Sequence, residues 1–146
     1  KIELRERLFR YVKEKNISLL ISTHEIQEVI PWLDQIIVLQ EGRLIQNNNA
    51  EETYNTPYNA YVAKLFGEVN IFSEDEKSIF NLPKNFWYPH EIKISTTGKE
   101  AKVVESRFAG SHFWNKISVK DKNLIMYTPE KIEGSIHIEF EKKKEK

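Results

Sequence analysis

The hydrophobic positions of this chain change their period near its middle. At the start, Leu4, Leu8, Tyr11 and Val12 recur at helical spacing while Glu3, Arg5, Glu6, Lys13 and Glu14 fall elsewhere, which predicts an opening helix. Ile17 to Ile21 is an unbroken apolar run, the pattern of a strand buried on both faces in a parallel sheet. Ser22 and Glu25 have capping-box spacing and predict a helix start, and Pro31 ends that helix early. Ile36 to Leu39 predicts a second buried strand, Glu41-Gly42 a turn, and Arg43 to Gln46 a short return strand. After the polar run Asn47 to Asn49, two short helices are expected, about Ala50 to Tyr54 and Tyr58 to Phe66, separated by Pro57 and closed by Gly67.

From about Val69 the helical spacing gives way to alternation. Phe113, Ile117 and Val119 alternate with polar residues, as do Ile136, Ile138 and Phe140. Val103-Val104 and Leu124 to Tyr127 are further strand candidates. Short strands with frequent turns predict a small barrel or sandwich. The fold expected is therefore α/β over residues 1–68 and all-β over 69–146, as two domains.

Composition narrows the function classes. The chain has 146 residues, 22 Lys+Arg against 22 Asp+Glu, and no cysteine. Zero net charge argues against a nucleic-acid binder, whose affinity comes from neutralising phosphates. Without cysteine there are no disulfides or thiolate metal sites. No apolar run is long enough for a membrane helix. His90, His112 and His137 lack metal-ligand spacing. Phe86, Trp87, Phe113, Trp114 and Tyr127 could stack bases on a barrel surface, but barrel core and interface account for them more simply. Lys1 opens onto the helix without an initiator Met or a cap, which predicts a chain that continues upstream.

His24 is the candidate functional residue. It follows an expected buried strand and opens an expected helix, where α/β sheets bind ligands and helix N-termini favour anions. An imidazole there can donate to a phosphate oxygen; a histidine that only caps a turn fits the position as well.

The neighbouring residues add a resemblance. Leu19-Leu20-Ile21-Ser22-Thr23-His24-Glu25 resembles the switch-histidine segment of ABC transporter ATPases. Glu28, Asp34, Ile36 to Leu39, Gly42-Arg43-Leu44, then Glu52, Tyr54, Asn55 and Pro57, and finally Val62, Ala63 and Gly67, follow the end of that nucleotide-binding domain in order. Asn48 stands where many members have glycine, and asparagine tolerates the left-handed backbone. Asn70-Ile71-Phe72, Ala101 to Phe108 and Gly110-Ser111 resemble a TOBE-type domain, an oligomer-binding-like barrel of the maltose, iron and polyamine importer branch. Where that branch has Gly-x-Arg-Pro-Glu, this chain has Phe86-Trp87-Tyr88-Pro89-His90, so only Pro89 agrees in place.

The resemblance implies the C-terminal part of an importer's ATP-binding subunit, with a regulatory or ligand-sensing barrel. It implies ATP and Mg as cofactors of the full protein, and His24 as its γ-phosphate contact. The implied partners are permease subunits and a second copy of the subunit, with no nucleic acid. The implied location is the cytoplasm, at the inner face of the membrane. The chain itself has no phosphate loop: before Gly98-Lys99, Lys93 stands at the first glycine and Glu100 replaces the hydroxyl. It is expected to be inactive alone. The rival reading is a freestanding barrel that binds a small anion or single-stranded nucleic acid.

Overall fold

A computed structural model describes residues 2–141. These fall into two compact units, one ending at Phe66 and one beginning at Gly67.

The first unit opens with helix α1 (Ile2–Glu14). Its buried side chain is Phe9, which stacks on Trp32 with ring centroids 5.6 Å apart. The expected stripe of Leu4, Leu8 and Tyr11 is instead exposed. Phe9 shares its face with Arg5 and Val12, so α1 carries two apolar faces and this unit covers one.

The expected strand Ile17 to Ile21 does not form. The run has no regular secondary structure and Leu20 is 89% exposed. A doubly buried strand needs neighbours on both sides for its backbone and covers for both faces, and no described strand pairs with it. The helix expected from Ser22 is likewise replaced by two single 3-10 turns, Ile26–Glu28 and Ile30–Trp32, the second carrying Pro31 in its first positions.

Strands β1 (Ile36–Gln40) and β2 (Arg43–Asn48) form the expected hairpin. Its turn places both Glu41 (φ 50°) and Gly42 (φ 75°) in the left-handed region, as a two-residue turn of this hand requires. β1 alternates rather than lying buried on both faces: Ile36 and Val38 join the core while Ile37 and Leu39 face outward. Asn47 and Asn48 belong to β2 and are extended, so Asn48 needs no left-handed backbone. Asn49 caps α2 (Ala50–Asn55) by accepting from the Glu52 N–H at 2.8 Å. Asn59 caps α3 (Ala60–Lys64) in the same way through Val62. Buried Gln46 donates to the Thr56 carbonyl at 3.0 Å and accepts from the Tyr58 N–H at 2.8 Å, which pins the Pro57 loop to the hairpin.

The second unit is built on a curled antiparallel sheet with strand order β5-β9-β6-β7-β8. Its strands are β5 (Ile92–Ser95), β6 (Lys99–Phe108), β7 (Phe113–Val119), β8 (Lys122–Thr128) and β9 (Ser135–Phe140). The sheet is a half-barrel, with β5 and β8 as unjoined edges. Inward residues Ile117, Val119, Leu124, Met126 and Ile138 meet Phe72, Phe80 and Trp87 in one core. A bulge between Val103 and Glu105 turns Val104 outward, so the expected Val103-Val104 strand is one strand with an irregular step.

Two small elements cover the open side. The pair β3 (Asn70–Ile71) and β4 (Phe86–Trp87) lies across one edge. Between them sits a helix not expected from the apolar spacing, α4 (Glu74–Ile79). It starts at a full capping box, with the Glu76 N–H donating to Ser73 Oγ at 3.1 Å and the Ser73 N–H donating to Glu76 Oε1 at 3.0 Å. Gly98 is required where the β5–β6 turn crosses β9, since a Cβ there would sit 1.9 Å from the Ile138 carbonyl oxygen.

Candidate functional site

His24 stands in the irregular stretch between α1 and the first 3-10 turn, and its side chain is exposed. One residue before it, Thr23 Oγ1 accepts from the Glu25 N–H at 3.0 Å, a local turn that sets the chain's direction there. Beyond it, Ile26 and Val29 enter the core and hold the segment to the unit. Arg5 of α1 donates to both the Glu28 carbonyl at 2.9 Å and the Glu28 carboxylate at 2.5 Å, which ties the far side of the turn. His24 thus stands in an irregular stretch that is held to the unit on its downstream side, at Ile26 and Val29. It does not sit at the end of a formed strand or the start of a formed α-helix, because neither element forms. No other candidate group is gathered round its ring among the described residues.

The remaining histidines do not assemble either. No cluster of three or more metal-ligating side chains occurs among the described residues. The candidate stacking aromatics are dispersed into other roles. Trp87 is 1% exposed and its Nε1 donates to the Lys84 carbonyl. Phe86 is half-buried at the β3–β4 pair.

Trp114 and Tyr127, directly opposite one another on β7 and β8, converge on a carboxylate that the sequence marked only as a boundary. Trp114 Nε1 lies 2.9 and 3.1 Å from the two Glu68 oxygens, and Tyr127 Oη donates to Glu68 at 3.0 Å. The His112 ring covers Tyr127 at 4.0 Å. Burial, then the hydrogen bond to Glu68 and its charge, push the Tyr127 phenol up to about 12. Glu68 thus occupies the polar atoms of both rings. The alternation of β7 and β8 gave Trp114 and Tyr127 a common face, but nothing in sequence placed Glu68 between them.

Elsewhere in the second unit, Lys99 of β6 is partly buried, and its ammonium makes no hydrogen bond or ion pair among the described residues. Burial, then the charge of Lys120, lower its ammonium's pKa below the ordinary lysine value. In sequence, Lys99 is marked only as the residue after Gly98, in a segment that lacks the first glycine and the hydroxyl of a phosphate loop. No helix of the described residues is long and apolar enough to cross a membrane.

No protein-family model matches the chain. Individual relatives do. It is 36% identical over 113 residues to the spermidine/putrescine import ATP-binding protein PotA of Clostridioides difficile, covering 70% of this chain and 33% of the relative. It is 27% identical over an alignment of 154 residues to the protein of that name from Mycoplasmopsis synoviae, covering 84% of this chain and 34% of the relative. A sulfate/thiosulfate import ATP-binding protein, CysA 2 of Shewanella oneidensis, is 39% identical over 70 residues, 48% of this chain and 20% of the relative. The chain therefore spans about a third or less of the curated relatives it matches. Over most of its length it is similar to ATP-binding proteins of importers, the class of subunit that the ABC-type resemblance of its first 70 residues implied.

Proposed function

We propose that this chain is the C-terminal part of the ATP-binding subunit of an ABC importer. Residues 1–68 would complete the nucleotide-binding domain, and residues 69–146 would form a TOBE-type regulatory domain. The observation that carries this reading is the 36% identity to an import ATP-binding protein over 70% of the chain. The full protein would use ATP and Mg, work as a dimer, and dock on permease subunits at the cytoplasmic face of the membrane. The polyamine importers among the relatives make a polyamine the first solute to test.

The first unit's surface supports the same reading. Ile2, Leu4, Leu8, Leu20, Ile37, Leu39 and Leu44 are all more than half, or nearly half, exposed. In the full subunit these residues would lie against the rest of the ATPase fold, where the run Ile17 to Ile21 would gain strand neighbours. His24 would then stand at the end of that strand, with its imidazole directed at the γ-phosphate.

The chain supplies no phosphate-cradling loop, and phosphoryl transfer needs metal, lysine and backbone donors acting together. Calorimetric titration of this chain with ATP and magnesium, beside the full-length subunit, tests the assignment. The full-length subunit should bind and hydrolyse ATP, and this chain should do neither. Low-micromolar binding by the chain alone, or a full-length subunit that does not hydrolyse ATP, would overturn it.

A further inference from the structure

A cavity of about 220 Å³ lies in the second unit, between the segment Asn81 to Pro83, the β5–β6 turn at Gly98-Lys99 and strand β9. Leu82, Pro83, Trp87, Ile138 and Phe140 make its walls apolar, and Lys99 lines it as well. Trp87 and Ile138 are buried in the sheet's core, and Phe140 packs edge-on to Trp87 with centroids 5.0 Å apart. The lining also includes one carboxylate, Glu139, which is exposed to solvent and stands opposite Lys93 in the β5–β9 register.

Lys99 is the cationic residue of that lining. Its ammonium is partly withdrawn from water, has no hydrogen-bond or ion-pair partner among the described residues, and lies near a second cation, Lys120. The Lys120 ammonium already donates to the Ile79 carbonyl, at 3.1 Å, and has no carboxylate partner among the described residues. Three other half-buried lysines of this unit have carboxylate partners, Lys77 with Glu74 at 2.8 Å, and Lys84 with Glu91 and Lys122 with Glu76, each at 2.6 Å; half-buried Lys116, which does not line the cavity, has none among the described residues. Desolvating an ammonium without a partner costs free energy that an anion would return.

We propose that this cavity binds a small organic anion, with its apolar body between Trp87, Leu82 and Phe140 and its carboxylate on Lys99. The volume is below the roughly 300–1,000 Å³ of pockets for drug-sized ligands, so the apolar body is a single ring or a short chain. This site is independent of the ATPase reading, since every residue it uses lies in the second unit.

The test is a chemical-shift titration of the whole chain with benzoate, and with benzamide, benzylamine and inorganic phosphate as comparisons. Benzoate should shift the Leu82, Gly98, Ile138 and Phe140 amides saturably. Benzamide and benzylamine should bind at least about tenfold more weakly, equivalent to about 1.4 kcal/mol. Lys99→Met, which keeps the apolar stem, should weaken benzoate by about the same factor, and Lys99→Arg should restore most of it. Unchanged resonances elsewhere would show that these variants remain folded. Equal binding of benzoate and benzamide, full binding by Lys99→Met, inorganic phosphate binding as tightly as benzoate, or no saturable shift would each overturn the proposal.

Discussion

The side-chain amide of Asn70 pairs with the backbone of Ile125 as a neighbouring strand would. Asn70 Nδ2 donates to the Ile125 carbonyl at 2.8 Å, and the Ile125 N–H donates to Asn70 Oδ1 at 2.7 Å. The same Nδ2 donates to the Trp87 carbonyl at 3.1 Å. β8 is an edge of the sheet, and edge backbone groups left open invite pairing with other chains. One buried asparagine closes part of that edge and fastens the β3–β4 pair to it. Asn70→Ala should therefore cost about 2–4 kcal/mol, since three hydrogen bonds go and buried backbone groups lose partners. Urea denaturation of the two proteins measures this; a loss below about 0.5 kcal/mol, the size of an ordinary surface change, would contradict it.

The capping box of α4 makes a smaller and separate contribution. Ser73→Ala removes the acceptor for the Glu76 N–H and should cost about 1 kcal/mol. The Glu76 carboxyl is held below its usual range, first by Lys122 and then by the Ser73 N–H. A carboxylate lowered in the folded state stabilises above its unfolded pKa, and that stabilisation fades as pH falls through the folded value. The denaturation midpoints of wild type and Glu76→Gln should converge in acid. A gap that stays constant from neutral to acid pH would argue against the assignment.

How legible these features were in sequence depends on what each element needs. β7 and β9 were readable because apolar and polar residues alternate within each strand, whatever the distance to its partners, while β6 and β8 showed only as the short apolar runs Val103-Val104 and Leu124 to Tyr127. The β1–β2 hairpin was readable from Gly42. α4 was missed because its apolar residues have no helical spacing, although the Ser73-x-x-Glu76 signal was present. β4 is two residues long and β5 four, too short for a period to show. Ile17 to Ile21 was misread for the opposite reason: a continuous apolar run reports what a segment could pair with, not whether the pairing strand is there. Glu68 was invisible as a hydrogen-bond centre because its partners are 46 and 59 residues away.

The Tyr127 phenol gives a pH signature. Its folded pKa of about 12 lies above the unfolded value, so the neutral form is favoured in the fold. That contribution is intact below about pH 10, where the unfolded phenol is also neutral, and is lost as pH rises toward 12. Glu68→Gln should lower the pKa only in part, since burial is the larger cause. Following the Tyr127 ring resonances against pH measures both values. Ionisation near 10, with no response to Glu68→Gln, would contradict the geometry.

The uncovered apolar residues of the first unit should make this chain self-associate. Leu20 is 89% and Leu39 58% exposed, and Leu39 lies opposite the equally exposed Leu44. Large exposed apolar side chains such as these are candidates for an interaction face. Replacing both Leu20 and Leu39 with Lys should reduce association without loss of stability, because neither side chain is in the core. Sedimentation velocity over a range of concentrations reads the outcome. A wild-type chain that is monomeric throughout would count against this reading of the surface.

The most direct measurement of the central claim concerns His24. Charge on the transferring phosphoryl oxygens develops in the transition state, where a positioned donor gains most. In the full-length subunit, His24→Ala should lower the steady-state ATP turnover number by on the order of 100- to 1,000-fold, while nucleotide affinity changes far less. The same substitution in this chain should leave its fold and its lack of ATP binding unaltered, since His24 is exposed and holds nothing in place. A full-length subunit that keeps most of its turnover after His24→Ala would show that His24 is only a turn residue, and the ATPase role assigned to it would fall.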